Sequence, residues 1–487
     1  MNANTIERAD GRVEVSRDAI SHDPLLFNDD LAPTPIAERT WTTYNYAALW
    51  VSMAHCIPTY MLASGLIGTG MNWWQALLTI LVGNTIVLIP ILANSHPGTK
   101  YGIPFPVFAR ASYGVFGANV PAIMRALVAC GWFGIQAWIG GEALQAFLRA
   151  IFPAWPEALG TVRFDGHLPT EWVSFALFWA LNILIVFRGM NLLRIVENWA
   201  APYVLVMTAA LVIWAIREAH GVGAIVRDTG KFHDAASFWK VFVPSVTAMI
   251  GFWATLSLNM PDFTRFGKSQ REQAVGQLVA LPTTMTIFAA MGVVITSASA
   301  EIYGKAIWDP VELVGRFESR PIVAIAMFTV MIATLSVNIA ANVVSPANDF
   351  ANVAPQKISF RLGGLMTGLI GFVMMPWKLL ADPNQYIFRW LLGYSGGLGS
   401  IAGVLICDYW FIRRTKIDVV DLYRRQGRYR YGKSGVNLAA IVATAVGCLL
   451  AWVGLFVDDL RILFDYAWFV GGFSSAAIYA LFMTRRS

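Results

Sequence analysis

The stretch ALWVSMAHCIPTYMLASG, residues 48–65, has the length and composition of most of a membrane span, yet it contains a helix breaker near its centre. Pro58 lacks a backbone donor and disturbs a helix around His55–Tyr60. Irregular backbone at membrane depth is tolerated only where protein or a cavity satisfies its polar groups. We therefore expect a broken first span that lines an internal cavity.

The chain as a whole has the composition of an integral membrane protein. Of its 487 residues, 56% are hydrophobic and 14% are charged, whereas soluble domains average about 25% charged residues. Apolar segments recur along the chain, and their lengths predict about twelve transmembrane helices. The predicted spans are Tyr46–Ile67, Trp73–Ala93, Val120–Phe152, Trp172–Phe187, Ala200–Ile216, Phe238–Leu258, Leu278–Ala298, Ile322–Val344, Leu362–Leu380, Tyr386–Ile412, Leu438–Val457 and Ile462–Met483.

Basic residues concentrate in the connections that follow even-numbered spans. Arg188 and Arg194 follow the fourth span, Arg265 and Lys268 follow the sixth, and many Lys and Arg residues lie in 413–437 after the tenth. The positive-inside rule makes these connections cytoplasmic, together with both termini. The net charge of +6 therefore reflects the basic cytoplasmic connections of a protein in the cytoplasmic (inner) membrane, and it does not indicate nucleic-acid binding.

A second interrupted span indicates an internal duplication. The sixth span reads SVTAMIGFWATLSLNMPDF, with Gly251 beside Phe252 and Trp253. Corresponding features of the two halves are separated by about 200 residues, and paired broken helices are typical of transporter repeats. A repeat of five helices is inverted in the second copy because five is an odd number.

The predicted architecture is therefore an all-α membrane protein with a five-plus-five inverted repeat and two extra C-terminal helices. Residues 1–40 form a polar cytoplasmic tail without the apolar region of a signal peptide. The repeats are predicted at 41–216 and 238–412, the basic cytoplasmic loop at 413–437, and the two additional helices with the C-terminus at 438–487.

Polar side chains with complementary chemistry fall near the centres of the predicted spans. In CGWFGIQAWIGG, residues 130–141, Trp132 and Gln136 lie one helical turn apart and share a face. Asn338 and Asn342 have the same spacing in the eighth span, and Trp253 lies at the break in the sixth. Indole faces and carboxamides suit a flat, neutral ring that carries N–H and C=O groups. A cationic substrate would instead require a buried carboxylate.

Several of these residues also have purely structural interpretations. An asparagine within a span often joins helices, and a lone intramembrane histidine such as His55 is either a packed neutral residue or a proton relay. Glu142 is predicted to be structural or to lie near the outer mouth, and Arg125 to extend toward the cytoplasmic interface.

Other classes of protein fit the sequence less well. An intramembrane enzyme would need a cluster of titratable or metal-binding groups, and the spans contain neither HExxH nor paired carboxylates. The four cysteines have no metal-site spacing. A channel would need a continuous polar lining or selectivity rings. The sequence therefore favours a carrier for a small neutral heterocycle, with no cofactor, no nucleic-acid partner and an open oligomeric state.

Five segments, taken in order, resemble the nucleobase–cation symporter-1 family, and most of all its bacterial allantoin permease branch. They are NYAALWVSMAHCIPTYM, YGIPFPVFARASYG, CGWFGIQAWIGG, NMPDFTRF and NIAANVVSPANDF. The resemblance implies a LeuT-like fold and cation-coupled alternating access. It also implies import of allantoin or a closely related hydantoin. The alternative is a permease for a nucleobase such as uracil, cytosine or a purine such as urate.

The resemblance also implies the substrate site. Trp132 and Trp253 match the two tryptophans that hold the substrate ring in hydantoin-transporting relatives, and Gln136 and Asn342 match the polar ligands. Backbone near Gly251 and Phe252 completes the match, and Cys56 stands where hydantoin members have a glutamine, which leaves more room. With Asn338, the predicted substrate-binding residues are Trp132, Gln136, Trp253, Asn342, Gly251, Phe252, Cys56 and Asn338.

The resemblance also implies a cation site. The backbone carbonyls that match those of sodium-coupled relatives are those of Ser52, His55 and Ala333, and one matching hydroxyl is that of Ser336. Val337 stands where sodium-coupled relatives have a second hydroxyl. A hard cation needs several oxygen ligands, so the coupling ion is left as H⁺ or Na⁺. His55 or Asp262 could carry a proton, although a helix-end salt bridge between Asp262 and Arg265 is the simpler interpretation.

Overall fold

The computed structural model describes residues 5–188, 205–221, 230–232 and 234–485 of the chain. Within this part, nine helices are long and apolar enough to cross a membrane, and Ile57–Gly68 and Phe360–Val373 are shorter apolar helices. The protein is therefore a helical membrane protein, as the composition predicted. The start of the predicted fifth span, residues 200–204, and Arg194 lie outside the described residues.

The spans are numbered here in chain order. Spans 1 to 6 are Thr43–Ala54 with Ile57–Gly68, Trp73–Tyr101, Asn119–Ile151, Pro169–Arg188, helical residues 205–218, and Ala235–Phe252 with Ala254–Asn259. Spans 7 to 12 are Gln270–Tyr303, Arg320–Asn342, Phe360–Val373, Gln385–Ile412, Leu438–Trp452 and Ala467–Thr484.

Both helix breaks occur in the two spans where the sequence predicted them. Span 1 is interrupted at His55 and Cys56, and the Cys56 backbone is extended, with φ −141° and ψ 159°. Pro58 then lies in the first turn of the second half of the span. Backbone N–H groups in a first turn have no intrahelical acceptor, so a proline there removes no hydrogen bond. Span 6 is interrupted at Trp253, with φ −103° and ψ 9°. The two breaks therefore interrupt the helical backbone in the middle of each of these spans.

Short helices between spans repeat the same pattern in both halves. Phe105–Tyr113 connects span 2 to span 3, and Pro310–Val314 connects span 7 to span 8. A further helix, Val344–Val353, continues span 8 beyond a kink at Val343. Each half thus begins with a broken span and has a short helix before its third span, as an inverted repeat requires. The residue boundaries 41–216 and 238–412 stay predictions.

Three of the family-like segments meet on the side of the predicted cytoplasmic loops. The Asp262 carboxylate accepts a 2.8 Å hydrogen bond from the Phe105 backbone N–H, at the start of the helix Phe105–Tyr113. Within NMPDFTRF, Asn259 donates a hydrogen bond to the Ser345 hydroxyl of NIAANVVSPANDF. The predicted Asp262–Arg265 salt bridge is not formed, since Asp262 caps this helix and Arg265 donates to the Asp30 carbonyl.

Arg125 also differs from its predicted position. Its guanidinium is fully buried and lies 3.2 Å from the Asp349 carboxylate, which is also fully buried. The side chain does not extend to the interface because the helix Val344–Val353 supplies this counter-charge beside span 3. Together with the Asp262 cap, this ion pair makes the predicted cytoplasmic side densely packed.

The N-terminal tail packs beneath this region. It begins with a small antiparallel hairpin of strands Thr5–Glu7 and Val13–Val15. Arg39 donates to the carbonyls of Thr34 and of Tyr101 at the end of span 2. Burial lowers the pKa of Arg39 to about 10, which leaves the side chain charged at neutral pH and suited to binding carbonyl oxygens.

Candidate functional site

A small cavity of about 30 Å³ lies where the two helix breaks approach spans 3 and 8. Six of the predicted substrate-binding residues line it, namely Cys56, Trp132, Gln136, Phe252, Trp253 and Asn342. The other lining residues are Met53, Thr255, Leu256, Val337 and Ala341. Among the described residues, no charged side chain lines the cavity, so its chemistry suits a neutral ligand. The binding role of these residues stays a prediction.

The aromatic side chains at the cavity pack edge to face. The Phe252 ring lies 5.1 Å from the Trp132 ring at 76° and 4.8 Å from the Trp253 ring at 83°. Trp253 in turn meets Trp50 at 5.0 Å and 89°. Phe252 therefore contacts both predicted stacking indoles, and a planar ligand that enters between them has to displace its edge.

The hydrogen-bonding groups of the two indoles differ. The Trp132 indole N–H donates a 3.1 Å hydrogen bond to the Tyr394 hydroxyl on span 10. The Trp253 indole N–H is buried and has no partner among the described residues. Trp132 can therefore offer a ligand only its ring face, whereas Trp253 also has an N–H to donate.

Gln136 carries an unsatisfied acceptor at the cavity. Its side chain is 2% exposed, and its carboxamide oxygen has no partner in the described part of the chain. A buried polar group left without a partner costs about 1–3 kcal/mol. A ligand N–H that donates to this oxygen would recover that cost, which makes Gln136 the most direct indication of a binding site.

Asn338 lies behind the cavity and does not line it. Its amide donates to the Asn182 side-chain oxygen at 3.1 Å and to the Phe133 carbonyl at 3.4 Å, while its own oxygen accepts from the Asn342 amide at 3.0 Å. The helix-joining interpretation therefore describes its contacts, because they link span 8 to spans 3 and 4. Asn342, one turn further along, is the carboxamide that reaches the cavity.

Gly251 also makes its contacts behind the cavity. A Cβ atom at this position would lie 2.5 Å from the Leu391 carbonyl oxygen, so only glycine permits this close packing of span 6 against span 10. The Gly251 carbonyl accepts a 2.8 Å hydrogen bond from the Tyr394 hydroxyl. Tyr394 was missed by the sequence analysis, although Tyr386, Trp390 and Tyr394 recur every four residues and so share one helix face.

The residues predicted to bind a cation are only partly brought together. His55 and Ala333 line one cavity of about 620 Å³, whereas Ser52 and Ser336 are not among its lining residues in the described chain. The His55 ring hydrogen-bonds the Thr208 hydroxyl at 2.8 Å and stacks on Phe288 at 4.4 Å.

Position 337 supplies no side-chain oxygen to the predicted cation site. The Val337 side chain lines the small cavity and has no oxygen to offer, and a hard cation requires several oxygen ligands. Among the described residues, no group of three or more His, Cys, Asp or Glu side chains could hold a metal ion. The coupling ion stays a prediction.

A cavity of about 780 Å³, which includes residues of the loop between spans 7 and 8, contains Glu142 and Asp309 among its lining residues. Glu142 accepts a 2.8 Å hydrogen bond from the Trp138 indole and is outside the lining of the small cavity. Burial raises the pKa of Asp309, which caps the helix Pro310–Val314, to about 6. Glu142 therefore lies near the connection between spans 7 and 8, and its position at the outer mouth stays a prediction.

Two broken spans that meet at a neutral cavity, within an all-helical membrane bundle, define the class of secondary transporters built from inverted repeats. Residues 33–471 match the family described as permeases for cytosine/purines, uracil, thiamine and allantoin. The chain belongs to this family.

Named relatives and a solved structure agree with this family. The chain is 42% identical to the allantoin permease of Bacillus subtilis over 94% of this chain and 93% of that protein. It is 39% identical to the purine-uracil permease of Arabidopsis thaliana over 96% of this chain and 79% of that protein. The structure of the nucleobase-cation-symport-1 transporter Mhp1, closed with bromovinylhydantoin bound, superposes with a TM-score of 0.77. This chain and Mhp1 are 26% identical, and the match covers 94% of this chain and 95% of the Mhp1 chain. The predicted LeuT-like five-plus-five fold is confirmed.

Proposed function

We propose that this protein is a secondary active transporter that imports allantoin or a closely related hydantoin across the cytoplasmic membrane. The observation that carries this proposal is the buried, unpartnered Gln136 oxygen in a cavity lined by two indoles and without charge. The B. subtilis relative, named allantoin permease, supports the choice of substrate. The family consists of permeases, and we propose that this chain catalyses no chemical reaction.

The hydrogen-bonding groups of a hydantoin ring complement those of the cavity. A ring N–H would donate to the Gln136 oxygen, and a ligand carbonyl outside the plane of the stacked ring would accept from the Trp253 indole N–H, which has no partner in the described chain. Both pairings satisfy groups that are otherwise buried without partners. A neutral amide-bearing ring therefore fits better than an anion or a cation.

Binding requires the cavity to enlarge, because about 30 Å³ is close to the volume that one water molecule occupies. Phe252, which contacts both indoles, is the side chain that a stacked ring would displace. Cys56 lines both this cavity and the cavity of about 620 Å³. A substituent on the ring, such as the ureido group of allantoin, would extend past Cys56 into that larger space.

The proposed transport mechanism is alternating access. The bundle that contains the broken spans 1 and 6 would rock against spans 3 and 8, which carry Gln136 and Asn342, so that the cavity opens to one side at a time. The coupling ion is H⁺ or Na⁺, and both termini are cytoplasmic by the charge distribution of the loops.

A nucleobase is the alternative substrate, because the A. thaliana relative is named a purine-uracil permease and uracil also carries ring N–H and C=O groups. A competition experiment separates the two. Uptake of radiolabelled allantoin is measured in cells expressing the protein, with unlabelled allantoin, hydantoin, uracil, cytosine and urate as competitors. We expect allantoin and hydantoin to compete best. Saturable uptake of uracil or cytosine without uptake of allantoin would favour the nucleobase alternative.

The same uptake measurement tests the site. We expect Gln136→Leu and Trp253→Ala to reduce allantoin uptake by about tenfold or more, as lost buried hydrogen bonds and stacking imply. Trp74→Ala is the matched control, because Trp74 is 48% exposed at the start of span 2, away from the cavity. Uptake by both site variants that equals the uptake by Trp74→Ala, at equal surface expression, would contradict the site.

A further inference from the structure

One face of span 10 carries aromatic side chains that reach both broken spans. Tyr386, Trp390 and Tyr394 recur every four residues and therefore lie along this face. The Tyr386 hydroxyl donates to the Pro58 carbonyl at 3.1 Å, and the Tyr394 hydroxyl donates to the Gly251 carbonyl at 2.8 Å. Span 10 is thus hydrogen-bonded to the residues beside each break.

The Tyr394 hydroxyl makes a second contact that the Tyr386 hydroxyl does not make. It accepts the 3.1 Å hydrogen bond from the Trp132 indole N–H. A phenol has one proton to donate, and that proton is directed to Gly251, so the oxygen is left to accept from the indole. One oxygen atom therefore joins span 3, the break in span 6 and span 10.

This arrangement determines how Trp132 can face a ligand. An indole has only two side-chain torsions, and a hydrogen bond at the N–H edge, together with the Trp390 ring at 6.3 Å and the Phe252 ring at 5.1 Å, restricts both. Gly251 is the next-to-last residue of its helix. Its carbonyl therefore has no backbone N–H four residues further along the same helix from which to accept a hydrogen bond. Movement at the break is therefore transmitted to the indole through one side chain.

We propose that Tyr394 is a positioning residue of the substrate site, and that its hydroxyl holds the Trp132 ring at the angle needed to stack on the substrate. The proposal rests on the proposed function for the identity of the substrate, a hydantoin-like ring. It assigns affinity and ring selectivity to a residue that does not line the small cavity. Loss of the hydroxyl frees the indole to rotate and weakens discrimination between rings of different size.

The chain offers a matched pair of variants for this test. Tyr394→Phe keeps the aromatic ring but removes the bridge between Trp132 and Gly251. Tyr386→Phe makes the same chemical change eight residues away on the same helix and removes a tyrosine–carbonyl bond of similar length. The Tyr386 ring also contacts the Trp132 ring, at 6.2 Å, but its hydroxyl is bonded to Pro58 and not to the indole N–H. Only the first variant should change how Trp132 is held.

Binding of allantoin, hydantoin and uracil to the purified, reconstituted full-length protein is measured together with the KM and maximal rate of uptake. For Tyr394→Phe we expect the Kd and KM for allantoin to rise by about three- to tenfold, the size of one lost hydrogen bond, with little change in maximal rate. The affinity ratio between allantoin and the two smaller rings should also shrink. Tyr386→Phe should stay within about twofold in each quantity, a change smaller than one hydrogen bond. Equal effects of the two variants, or an unchanged Kd and ratio for Tyr394→Phe, would overturn the proposal.

A second measurement does not depend on the ligand. The Trp132 indole N–H signal, assigned in ¹⁵N-tryptophan spectra by comparison with Trp132→Phe, should shift in Tyr394→Phe and stay in place in Tyr386→Phe. An unshifted signal would overturn the positioning of Trp132. If the wild-type protein binds none of the three rings while the signal shifts, the proposed function fails and the assigned role in ring selectivity fails with it, but the hydrogen-bonded positioning of the indole is upheld.

Discussion

The Asn342 side-chain amide donates a 3.0 Å hydrogen bond to the side-chain oxygen of Asn338, one helical turn earlier on span 8. Asn338 is fully buried and in turn donates to Asn182 on span 4. Only Asn342 reaches the cavity. The two asparagines that the sequence placed on one face therefore have different roles. Asn342 faces the cavity, and Asn338 orients the Asn342 side chain.

Replacement of Asn338 should weaken substrate binding indirectly. In Asn338→Ala, the Asn342 amide loses its acceptor and can rotate away, so we expect the Kd for allantoin to rise by about tenfold and stability to fall by about 1–3 kcal/mol. Asn182→Ala is the control, because it removes the support from span 4 but leaves the Asn338–Asn342 bond. It should lower the unfolding temperature in detergent with little change in Kd. Equal Kd values for the two variants would contradict the orienting role.

Enlargement of the residue at position 56 should change substrate selectivity. Cys56 lines both the small cavity and the larger one, so a glutamine there narrows the connection between them. For Cys56→Gln we expect allantoin, with its ureido group, to lose affinity by about tenfold or more from steric overlap, while unsubstituted hydantoin loses less. Cys56→Ser, of similar size, should bind both compounds like the wild type. The measurement is a pair of inhibition constants for uptake, and a uniform loss for both rings in Cys56→Gln would contradict the predicted path of the tail.

The buried ion pair between Arg125 and Asp349 should dominate the stability of the predicted cytoplasmic half. Both side chains are fully buried, and removal of one partner leaves an uncompensated charge, which costs about 3–5 kcal/mol. We expect Asp349→Ala to unfold at a markedly lower temperature and the double variant Arg125→Met with Asp349→Leu to recover much of the loss. The exposed pair Arg461–Asp465 is the control, and Arg461→Ala should unfold like the wild type. No recovery in the double variant would show that charge burial is not the cause.

The helix cap made by Asp262 should control local opening on the same side. Its carboxylate accepts from the Phe105 N–H, where a helix N-terminus favours negative charge and acceptors. Hydrogen–deuterium exchange of the segment 102–114 should become faster in Asp262→Ala and stay close to wild type in Asp262→Asn, which keeps an acceptor oxygen. Faster exchange in both variants alike would assign the effect to charge instead of to the cap.

Sodium dependence should be limited by the side chain at position 337. Val337 lacks the hydroxyl that a sodium-coupled relative would have, and valine and threonine have nearly the same shape. We expect sodium to stimulate uptake by Val337→Thr more than it stimulates uptake by the wild type. Val337→Ile should show no such gain. Uptake is compared in sodium and in choline buffers of equal ionic strength. A sodium response in the wild type as large as in Val337→Thr would contradict the prediction that the missing hydroxyl at position 337 limits sodium dependence.

Features that depend on local chemistry could be predicted from the sequence. Pro58 and Gly251 identified the spans that break, because proline and glycine act on the backbone within a turn of their own positions. The four-residue spacings placed Trp132 with Gln136 and Asn338 with Asn342. Their gathering around one cavity followed from the resemblance and from the inverted repeat, and six of the eight predicted residues do line one cavity, whereas Asn338 and Gly251 lie behind it.

Features that depend on distant partners could not be predicted. Arg125 was expected at the interface because a single sequence does not reveal that Asp349, 224 residues away, lies beside it. Asp262 was paired with the nearby Arg265, yet its partner is a backbone N–H 157 residues away. Tyr394 was overlooked for the same reason, since its hydroxyl acquires meaning only when Trp132 and Gly251 are adjacent to it.

The most direct test of the central claim is equilibrium binding of allantoin to the purified protein and to Gln136→Leu. This substitution removes the carboxamide oxygen at the cavity that is buried without a partner in the described chain, and it keeps a side chain of similar volume. We predict saturable binding to the wild type and a Kd that is about tenfold or more weaker in Gln136→Leu, with unfolding temperatures that match. Equal Kd values for the two proteins, or no binding of allantoin or hydantoin to the wild type, would contradict the claim.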